Sequence, residues 1–530
     1  MPSLRSSTHS NVYLFGLMVM AVGLPSSNLL MTWAQLIIAA NWFAEGDYLV
    51  KLKRFVSHKP ALIFSSVFAL HLVGLLYTSN WDYAAWDLQN KIPILVIPLL
   101  IISSPPLSKV RIDQVMKVFV SSVVIFSLVC AGELTPFNNW FRGLFGLGER
   151  EIIDARQISH FISHIRFSLM ICLSIAWLMY GLIKKNISKV NSALHIGTAI
   201  WLFTFLFLLE SMTGLAILFS LGFISILYVA IIQKNKLIKL SSLVILVVAP
   251  LLAINFVGNM IVDFYHVNEE NVEELPKYTK SGGMYFHDLK NHQVENGTYV
   301  WRYVCHLELE PEWEKRSSIP FRGVDRVGQF VEYTIMRYMT SKGLRKDAEG
   351  LASLSDDDIT NIENGVANAK YADPGSVEAR IYGIIWEIED YNAEGEPGGH
   401  SLSQRWEFWK TGVNVLKNNP LIGVGTGDIY DEMLVQYEAD NSVVRSKYRK
   451  HPHNQFLSIA IAFGTIGLGI FLFALLYPIK LQWGHLDYVS LIFIAILLLS
   501  MTTEDTLETQ AGVSFVAFFY SLLVLSNKAD

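Results

Sequence analysis

The first candidate for chemistry is a histidine in the string His451-Pro452-His453-Asn454-Gln455, which runs directly into a long apolar stretch. Proline suits the first turn of a helix, so the sequence predicts that His453 lies at a helix N-terminus. There the helix dipole favours a neutral imidazole that can accept a proton, and it also attracts anions such as phosphate. His453 is therefore a candidate general base, against the simpler interpretation of an interfacial histidine without a role.

Two arginines lie close to apolar stretches, where a charge is expensive unless it has a partner or an anionic ligand. Arg166 is part of the string Ser163-His164-Ile165-Arg166-Phe167-Ser168, and Arg405 lies beside a predicted apolar stripe of a helix. The stripe consists of Leu402, Trp406, Trp409, Val413 and Leu416. Arginine stays charged and can pair with two phosphate oxygens at once. Both are therefore candidates for pairing with a buried partner or an anionic ligand, with snorkelling to the membrane interface as an equal alternative for Arg166.

Three other polar motifs have simpler interpretations. The glycines of the 423–428 segment lack GxGxxG spacing, which favours a tight turn over a phosphate loop. Ser355 followed by three aspartates is typical of a helix N-cap, and consecutive carboxylates point in different directions from a helix, which disfavours a metal site. Glu387 and Asp390 are spaced i, i+3 like a hydrolase pair, but a solvated helix face explains them as well.

The composition shows which elements must position these side chains. Of 530 residues, 52% are hydrophobic and only 17% are charged, with 42 basic and 47 acidic residues and three cysteines. This excludes a disordered chain, a nucleic-acid binder and a disulfide scaffold, and it leaves a polytopic membrane protein. Twelve apolar spans are predicted at residues 12–26, 28–44, 60–78, 91–103, 114–133, 161–183, 193–209, 213–232, 240–258, 454–478, 487–502 and 511–526.

The distribution of basic residues predicts the orientation. With both termini in the cytoplasm, the inner segments carry sixteen lysines and arginines, and the short outer segments carry three, Arg142, Arg150 and Arg156. One outer segment, 259–452, is a large loop with 21 basic and 32 acidic residues and mainly helical signals. We therefore expect an N-terminal membrane domain (1–258), a loop domain (259–452) and a C-terminal membrane segment (453–530).

The motifs together resemble one family. The string Arg405-x3-Trp409, then Asn419-Pro420-Leu421-Ile422-Gly423-Val424-Gly425, then His453-Asn454-Gln455-Phe456-Leu457 and a glycine-rich span are similar to the O-antigen ligase and O-antigen polymerase family. The architecture of about twelve spans with one large late loop is similar too. The resemblance implies an all-α polytopic membrane protein with a GT-C-like fold, in the bacterial inner membrane, with a periplasmic loop. It also implies a metal-independent inverting glycosyltransferase without cofactors.

The resemblance further implies substrates and residue roles. The donor would be an undecaprenyl-diphosphate-linked glycan, and the acceptor would be lipid A–core for a ligase or another growing glycan for a polymerase. His453 matches the family's essential loop histidine, Arg405 matches the loop arginine, and Arg166 matches a further arginine by its placement. Membrane lipids surround the protein, and no nucleic acid is expected. Further candidates for binding the diphosphate or the glycan are Arg337, Arg380, Trp409 and Asn454.

Three other classes of protein are considered. A glycoside hydrolase or lyase would depend on the Glu387 and Asp390 pair. A transporter or flippase for lipid-linked oligosaccharide predicts internal repeats and ionisable residues near the membrane midplane, whereas the candidates here gather at the outer edge. A non-catalytic receptor would leave the Arg405 and His453 motifs without a purpose. The choice between ligase and polymerase stays open, because both need the same donor contacts and the same base.

Overall fold

The computed structural model describes residues 2–135, 138, 142–143, 158–183, 188–268, 270–373, 376–395, 397–398 and 400–526. Arg150 and Arg156, used in the topology prediction, lie outside the described residues. The chain forms two compact units: the first comprises Met1–Ser225 and Glu396–Asp530, and the second comprises Ile226–Gly395. Residues 396–452 of the predicted loop domain thus belong to the first unit.

The chain is mainly helical. The helices before the second unit's small hairpin are α1 (Pro2–Gly23), α2 (Asn28–Glu45), α3 (Tyr48–Ser57), α4 (Lys59–Gly74), α5 (Trp81–Ser103), α6 (Lys109–Gly132), α7 (His164–Ile183), α8 (Lys189–Leu208), α9 (Met212–Ile232) and α10 (Lys236–Tyr265). The last helices are α16 (Ser401–Asn418), α17 (Ile429–Ala439), α18 (Gln455–Leu481), α19 (Tyr488–Thr503) and α20 (Gln510–Phe519), which continues as a π-helix, Tyr520–Leu525.

Eight helices among the described residues are long and apolar enough to cross a membrane, which makes this a helical membrane protein. They are α4 with its 3₁₀ extension to Tyr77, α5 to α10 and α18, while α19 and α20 are apolar but shorter. A helix lies at each of the twelve predicted spans. Helices α1 and α2 are neither among the eight long apolar helices nor among the two shorter ones. The number of twelve membrane crossings stays a prediction.

Helix α18 is broken inside its apolar run, at Gly464. Its φ of 66° and ψ of −172° form a backbone conformation that is essentially restricted to glycine. The glycine-rich turn after α16 fills the break, since Val424 and Gly425 donate their backbone N–H groups to the carbonyls of Ile461 and Ala462, both at 2.9 Å. The freed carbonyls are thereby satisfied within protein, as an apolar environment requires. The glycine cluster is a tight turn, as predicted, with positive φ at two of its glycines.

A second set of hydrogen bonds connects this turn to the segment between α4 and α5. Asp428 accepts hydrogen bonds from the Thr78 hydroxyl at 2.6 Å and from the backbone N–H groups of Ser79 and Asn80 at 2.8 and 3.0 Å. Three donors on one carboxylate make a strong and directional link. The segment between α4 and α5 is thus fastened to the segment between α16 and α17.

The second unit contains a short antiparallel hairpin and five helices beside α10. The strands are β1 (Val294–Glu295) and β2 (Thr298–Tyr299), and the helices are α11 (His306–Glu314), α12 (Val331–Ser341), α13 (Ala348–Ala352), α14 (Asp356–Glu363) and α15 (Val377–Glu394). Its apolar core includes Trp313, Ile335 and Tyr338, all fully buried. The predicted N-cap at Ser355 is confirmed, because Ser355 and Asp358 form a capping box at the start of α14.

Candidate active site

Three side chains predicted from different parts of the sequence meet at one carboxylate, that of Glu504. This residue follows α19 directly and its side chain is 4% exposed. Arg405 of α16 lies with Nη2 2.5 Å from Oε1 of Glu504. The other carboxylate oxygen, Oε2, lies 3.8 Å from Nη1 of Arg166 and 3.7 Å from Nδ1 of His453. The fold therefore brings together two cations and one imidazole around a buried anion.

The backbone of His453 is fixed by a hydrogen bond to Asp505. Its φ of 51° is left-handed, which is uncommon for a residue other than glycine. The strained conformation is stabilised by Asp505, whose Oδ2 accepts the His453 backbone N–H at 3.0 Å, while Oδ1 accepts the Ser458 hydroxyl at 2.6 Å. The imidazole itself is only half-buried, with 32% of the side chain exposed. The ring can thus reach a substrate while its main chain stays fixed.

The predicted start of the following helix is wrong by a few residues. Helix α18 begins at Gln455, and Pro452 is not in its first turn. Asn454 is the N-cap: its Oδ1 accepts the backbone N–H of Leu457 at 3.1 Å, and its Nδ2 donates to the carbonyl of Thr502 at 3.0 Å. The polar atoms of Asn454 therefore position the site, and its role in substrate binding stays a prediction.

Arg166 is buried rather than extended to an interface. It lies in the first turn of α7, its side chain is 8% exposed, and its Nη2 donates to the carbonyl of Asp505 at 2.7 Å. Its Nε lies 3.4 Å from the hydroxyl of Thr509. Gly512 leaves room for it, since a Cβ there would lie 3.1 Å from that Nε. Snorkelling, the simpler interpretation of Arg166, is therefore wrong.

The charges around the segment between α19 and α20 control its protonation. Burial raises the pKa of Glu504, but His453, Arg405 and Arg166 together outweigh burial and hold that pKa below its ordinary value. Burial and the neighbouring Glu508 raise the pKa of Asp505. Glu504 is consequently ionised at neutral pH, and it is the anion to which the site's cations are directed.

A buried ion cluster fixes the far end of the same segment. Lys91 of α5, whose side chain is 1% exposed, pairs with Asp87 one turn earlier and with Glu508 at 3.1 Å. Gln455 links this cluster to α18, because its Nε2 donates to Glu508 at 3.2 Å and its Oε1 accepts the backbone N–H of Leu507 at 2.6 Å. Buried charges of this kind persist only when they are paired. The cluster thus anchors the loop that carries Glu504.

Helix α16 carries Arg405 beside the predicted apolar stripe. The predicted apolar stripe is largely exposed, with Trp406 61% and Val413 40% exposed. The buried face of the helix instead includes Phe408, Thr411 and Gly412, and at Gly412 a Cβ would lie 3.0 Å from Leu457 of α18. Exposed apolar side chains are ordinary in a membrane protein, where small residues allow helices to approach. The stripe is therefore not the face through which α16 packs against α18.

Two donors on α16 lack protein partners. Nε of Arg405 and Nε1 of Trp409, one helical turn apart, are buried and have no hydrogen-bond partner among the described residues. Buried donors are nearly always satisfied, so a pair of unsatisfied ones indicates a ligand or ordered water. Both donors would suit the oxygens of an anion.

Arg337 and Arg380, the reserve candidates, belong to the second unit. Arg337 on α12 is buried, and its Nε donates to Glu295 at 2.6 Å, with its guanidinium 4.4 Å from the ring centroid of Trp386. It is thus engaged within its own unit. Arg380 lies on α15. The binding of phosphate by either residue stays a prediction.

The acidic segment that contains Glu504, Asp505 and Glu508 was not among the predicted site residues. Three acids within five residues between two apolar helices resemble a solvated loop. Their charge alone does not distinguish such a loop from a buried functional segment. The signal available was their position, because the segment is too short to move three carboxylates far from hydrocarbon.

Comparison with known proteins gives one result for the same region. Residues 364–472 match the family described as O-Antigen ligase. The match covers about a fifth of the chain and includes Arg405, Trp409 and His453, whereas Arg166 and Glu504 lie outside it. A search of curated proteins gave no match. The resemblance is confirmed for this region, since the match at residues 364–472 supports an O-antigen ligase/polymerase family.

Proposed function

We propose that this protein transfers a glycan from undecaprenyl diphosphate to an acceptor hydroxyl, as an O-antigen ligase or polymerase. The observation that carries the proposal is the convergence of Arg166, Arg405 and His453 on Glu504. A base and a cluster of cations are what this reaction needs, since a proton leaves the acceptor while negative charge grows on a diphosphate.

The arginines would bind the diphosphate. Nη2 of Arg405 donates to Glu504. Nε of Arg405 and Nε1 of Trp409, one turn away, have no partner among the described residues and are available to a ligand. A diphosphate oxygen at these donors would receive charge-assisted hydrogen bonds, with Arg166 adding positive charge nearby. The same groups would offset the charge that develops as the sugar departs. Because arginines supply this charge, the mechanism requires no divalent metal.

His453 would act as the general base. Its Nδ1 faces Glu504, so the ring is held with Nε2 as the atom available to an acceptor hydroxyl. Glu504 would stabilise the imidazolium that forms when His453 takes the proton. The freed oxygen attacks the anomeric carbon as the bond to the diphosphate breaks, which inverts the configuration in one displacement. Glu504 is a positioning residue in this scheme, and His453 is the catalytic one.

The topology belongs to the proposal as well. We place the chain in the bacterial inner membrane with about twelve crossings, both termini in the cytoplasm, and residues 259–452 in the periplasm. The basic residues of the inner segments support this orientation. The fold would be GT-C-like, and the acceptor would be lipid A–core or a growing glycan. In this arrangement the site lies on the periplasmic side of the membrane.

The central test uses two variants in proteoliposomes with purified lipid-linked donor. We expect His453→Ala and Arg405→Ala each to abolish glycan transfer while the protein still reaches the membrane. His485→Ala, in the turn between α18 and α19, is the matched control and should retain full activity. Full activity in either site variant would exclude the mechanism.

The same vesicles separate the competing functions. A flippase would move labelled donor across the membrane without joining it to an acceptor, and a receptor would do neither. A hydrolase would release free glycan and would depend on Glu387 and Asp390. The surface glycan of a deletion strain distinguishes the two enzyme types: bare core with free lipid-linked polymer indicates a ligase, and core with a single repeat unit indicates a polymerase.

A further inference from the structure

The second unit contains a cavity that the proposed reaction does not use. Its volume is about 470 Å³, within the usual range for ligand pockets. Three aromatic side chains line it: Phe264 and Tyr265 at the end of α10, and Trp386 on α15. The polar part of the lining includes Gln293 and Asp390. Aromatic surfaces beside amide and carboxylate groups are thus combined in one concave site.

This lining fits a sugar and not a phosphate. Among the described residues that line the cavity there is no lysine or arginine, whereas Glu389 and Asp390 are acidic. These two carboxylates would repel a diphosphate. A pyranose ring instead offers an apolar C–H face to an aromatic side chain and hydroxyl groups to carboxylate and amide oxygens. The cavity therefore suits a neutral, polyhydroxylated ligand.

Residues outside the lining hold two of the cavity's side chains, Trp386 and Gln293, in place. The Trp386 ring lies 4.4 Å from the Arg337 guanidinium, which is paired with Glu295, and Glu295 also accepts from Asn368 at 2.7 Å. Among the polar lining residues, Gln293 accepts a hydrogen bond at its Oε1 from Nε1 of Trp301 at 3.1 Å. Side chains held this firmly lose little further freedom on binding, which favours affinity. Arg337 thus supports an aromatic wall.

The Tyr265 hydroxyl links the two helices that line the cavity. It donates to Glu389 at 2.7 Å, which joins the end of α10 to α15. Since α10 is a candidate membrane span, its aromatic end residues would lie at the membrane surface, where aromatic side chains are common. In the proposed topology this is the outer surface, on which a lipid-linked glycan projects from the membrane.

We propose that this cavity is a binding site for the sugar units of the glycan, separate from the diphosphate contacts. The proposal rests on the proposed function for the identity of its ligand. It assigns the segment between the membrane helices a role in holding the polysaccharide chain, and it explains why Trp386 and Asp390, spaced i, i+4 on α15, share one cavity.

The test measures binding by the full chain in lipid nanodiscs. The probe is the lipid-free, phosphate-free oligosaccharide released by mild acid from the producing cell's own surface polysaccharide. Trp386→Ala removes the aromatic wall, and Ala393→Trp fills the cavity without removing any contact. Ile388→Ala, an exposed change on the same helix outside the lining, is the matched control. Inorganic pyrophosphate serves as competitor.

We expect Trp386→Ala and Ala393→Trp to weaken binding at least tenfold, Ile388→Ala to remain within twofold, and pyrophosphate to have no effect. His453→Ala should bind the oligosaccharide like the unaltered protein, so loss of transfer and loss of glycan binding are distinguished. Wild-type affinity in Ala393→Trp, displacement by pyrophosphate, or no binding by the unaltered protein would each overturn the proposal.

Discussion

Glu504→Gln is the most informative change, since it removes one charge from the centre of the site and preserves the side chain's shape. Glu504 lies 2.5 Å from Arg405 Nη2, 3.8 Å from Arg166 Nη1 and 3.7 Å from His453 Nδ1. The amide retains an oxygen for one arginine but cannot stabilise an imidazolium by charge. The variant therefore separates the electrostatic role of Glu504 from its packing.

The magnitude follows from the distance to the histidine. Two unit charges 3.7 Å apart interact by about 4.5 kcal/mol at an effective dielectric constant of about 20. Because about 1.4 kcal/mol corresponds to a tenfold change in rate, loss of this attraction predicts a decrease in kcat of about 10³-fold. The variant also leaves Arg405 and Arg166 less compensated, and breaking a buried pair destabilises by about 3–5 kcal/mol.

The assay is single-turnover transfer of labelled glycan in proteoliposomes, normalised to folded protein. Glu438→Gln makes the same chemical change at an exposed carboxylate, which is paired with Arg449, and should leave the rate unchanged. A Glu504→Gln protein that is folded and transfers glycan at the normal rate would refute the role of Glu504. A loss of rate explained fully by loss of folded protein would refute it equally.

Two other predictions concern stability. Gly464→Ala should destabilise the protein by at least about 2–3 kcal/mol, because its backbone conformation excludes a side chain and a Cβ would lie 2.1 Å from the Leu421 carbonyl. Thermal unfolding in detergent measures this, and the control Gly469→Ala, in the same helix with nothing within 4 Å of the added Cβ, should stabilise the protein by up to about 1 kcal/mol because alanine is the better helix former. Burial lowers the pKa of Lys346 to about 7, so between pH 7 and about 10 the unfolded chain binds more protons and this lysine adds up to about 1.4 kcal/mol of stability per pH unit. Lys346→Met should raise the unfolding temperature at pH 7 and flatten its increase toward pH 9; an unchanged slope would contradict the reasoning.

The candidate residues that the sequence indicated were those whose type is unusual for their surroundings. Arg166 is such a residue, since a buried arginine beside hydrocarbon needs a partner. Its partner was not predictable, because Glu504 is separated from it by more than three hundred residues and resembles an ordinary loop acid. The apolar stripe of α16 carries less information, because an apolar face in the sequence does not indicate which neighbour, if any, covers it.

The sequence by itself determined the class of the protein, since apolar stretches of spanning length cannot dissolve in water, and it determined the residue types available for acid–base and phosphate chemistry. It also determined the local turn after α16, because glycine at a position such as Gly423 permits a backbone that other residues resist. Only the tertiary structure decided that α7, α16, α18 and the segment after α19 place Arg166, Arg405, His453 and Glu504 within reach of one another. The physical reason is that burying one carboxylate requires several partners, and these come from helices that the linear order keeps apart.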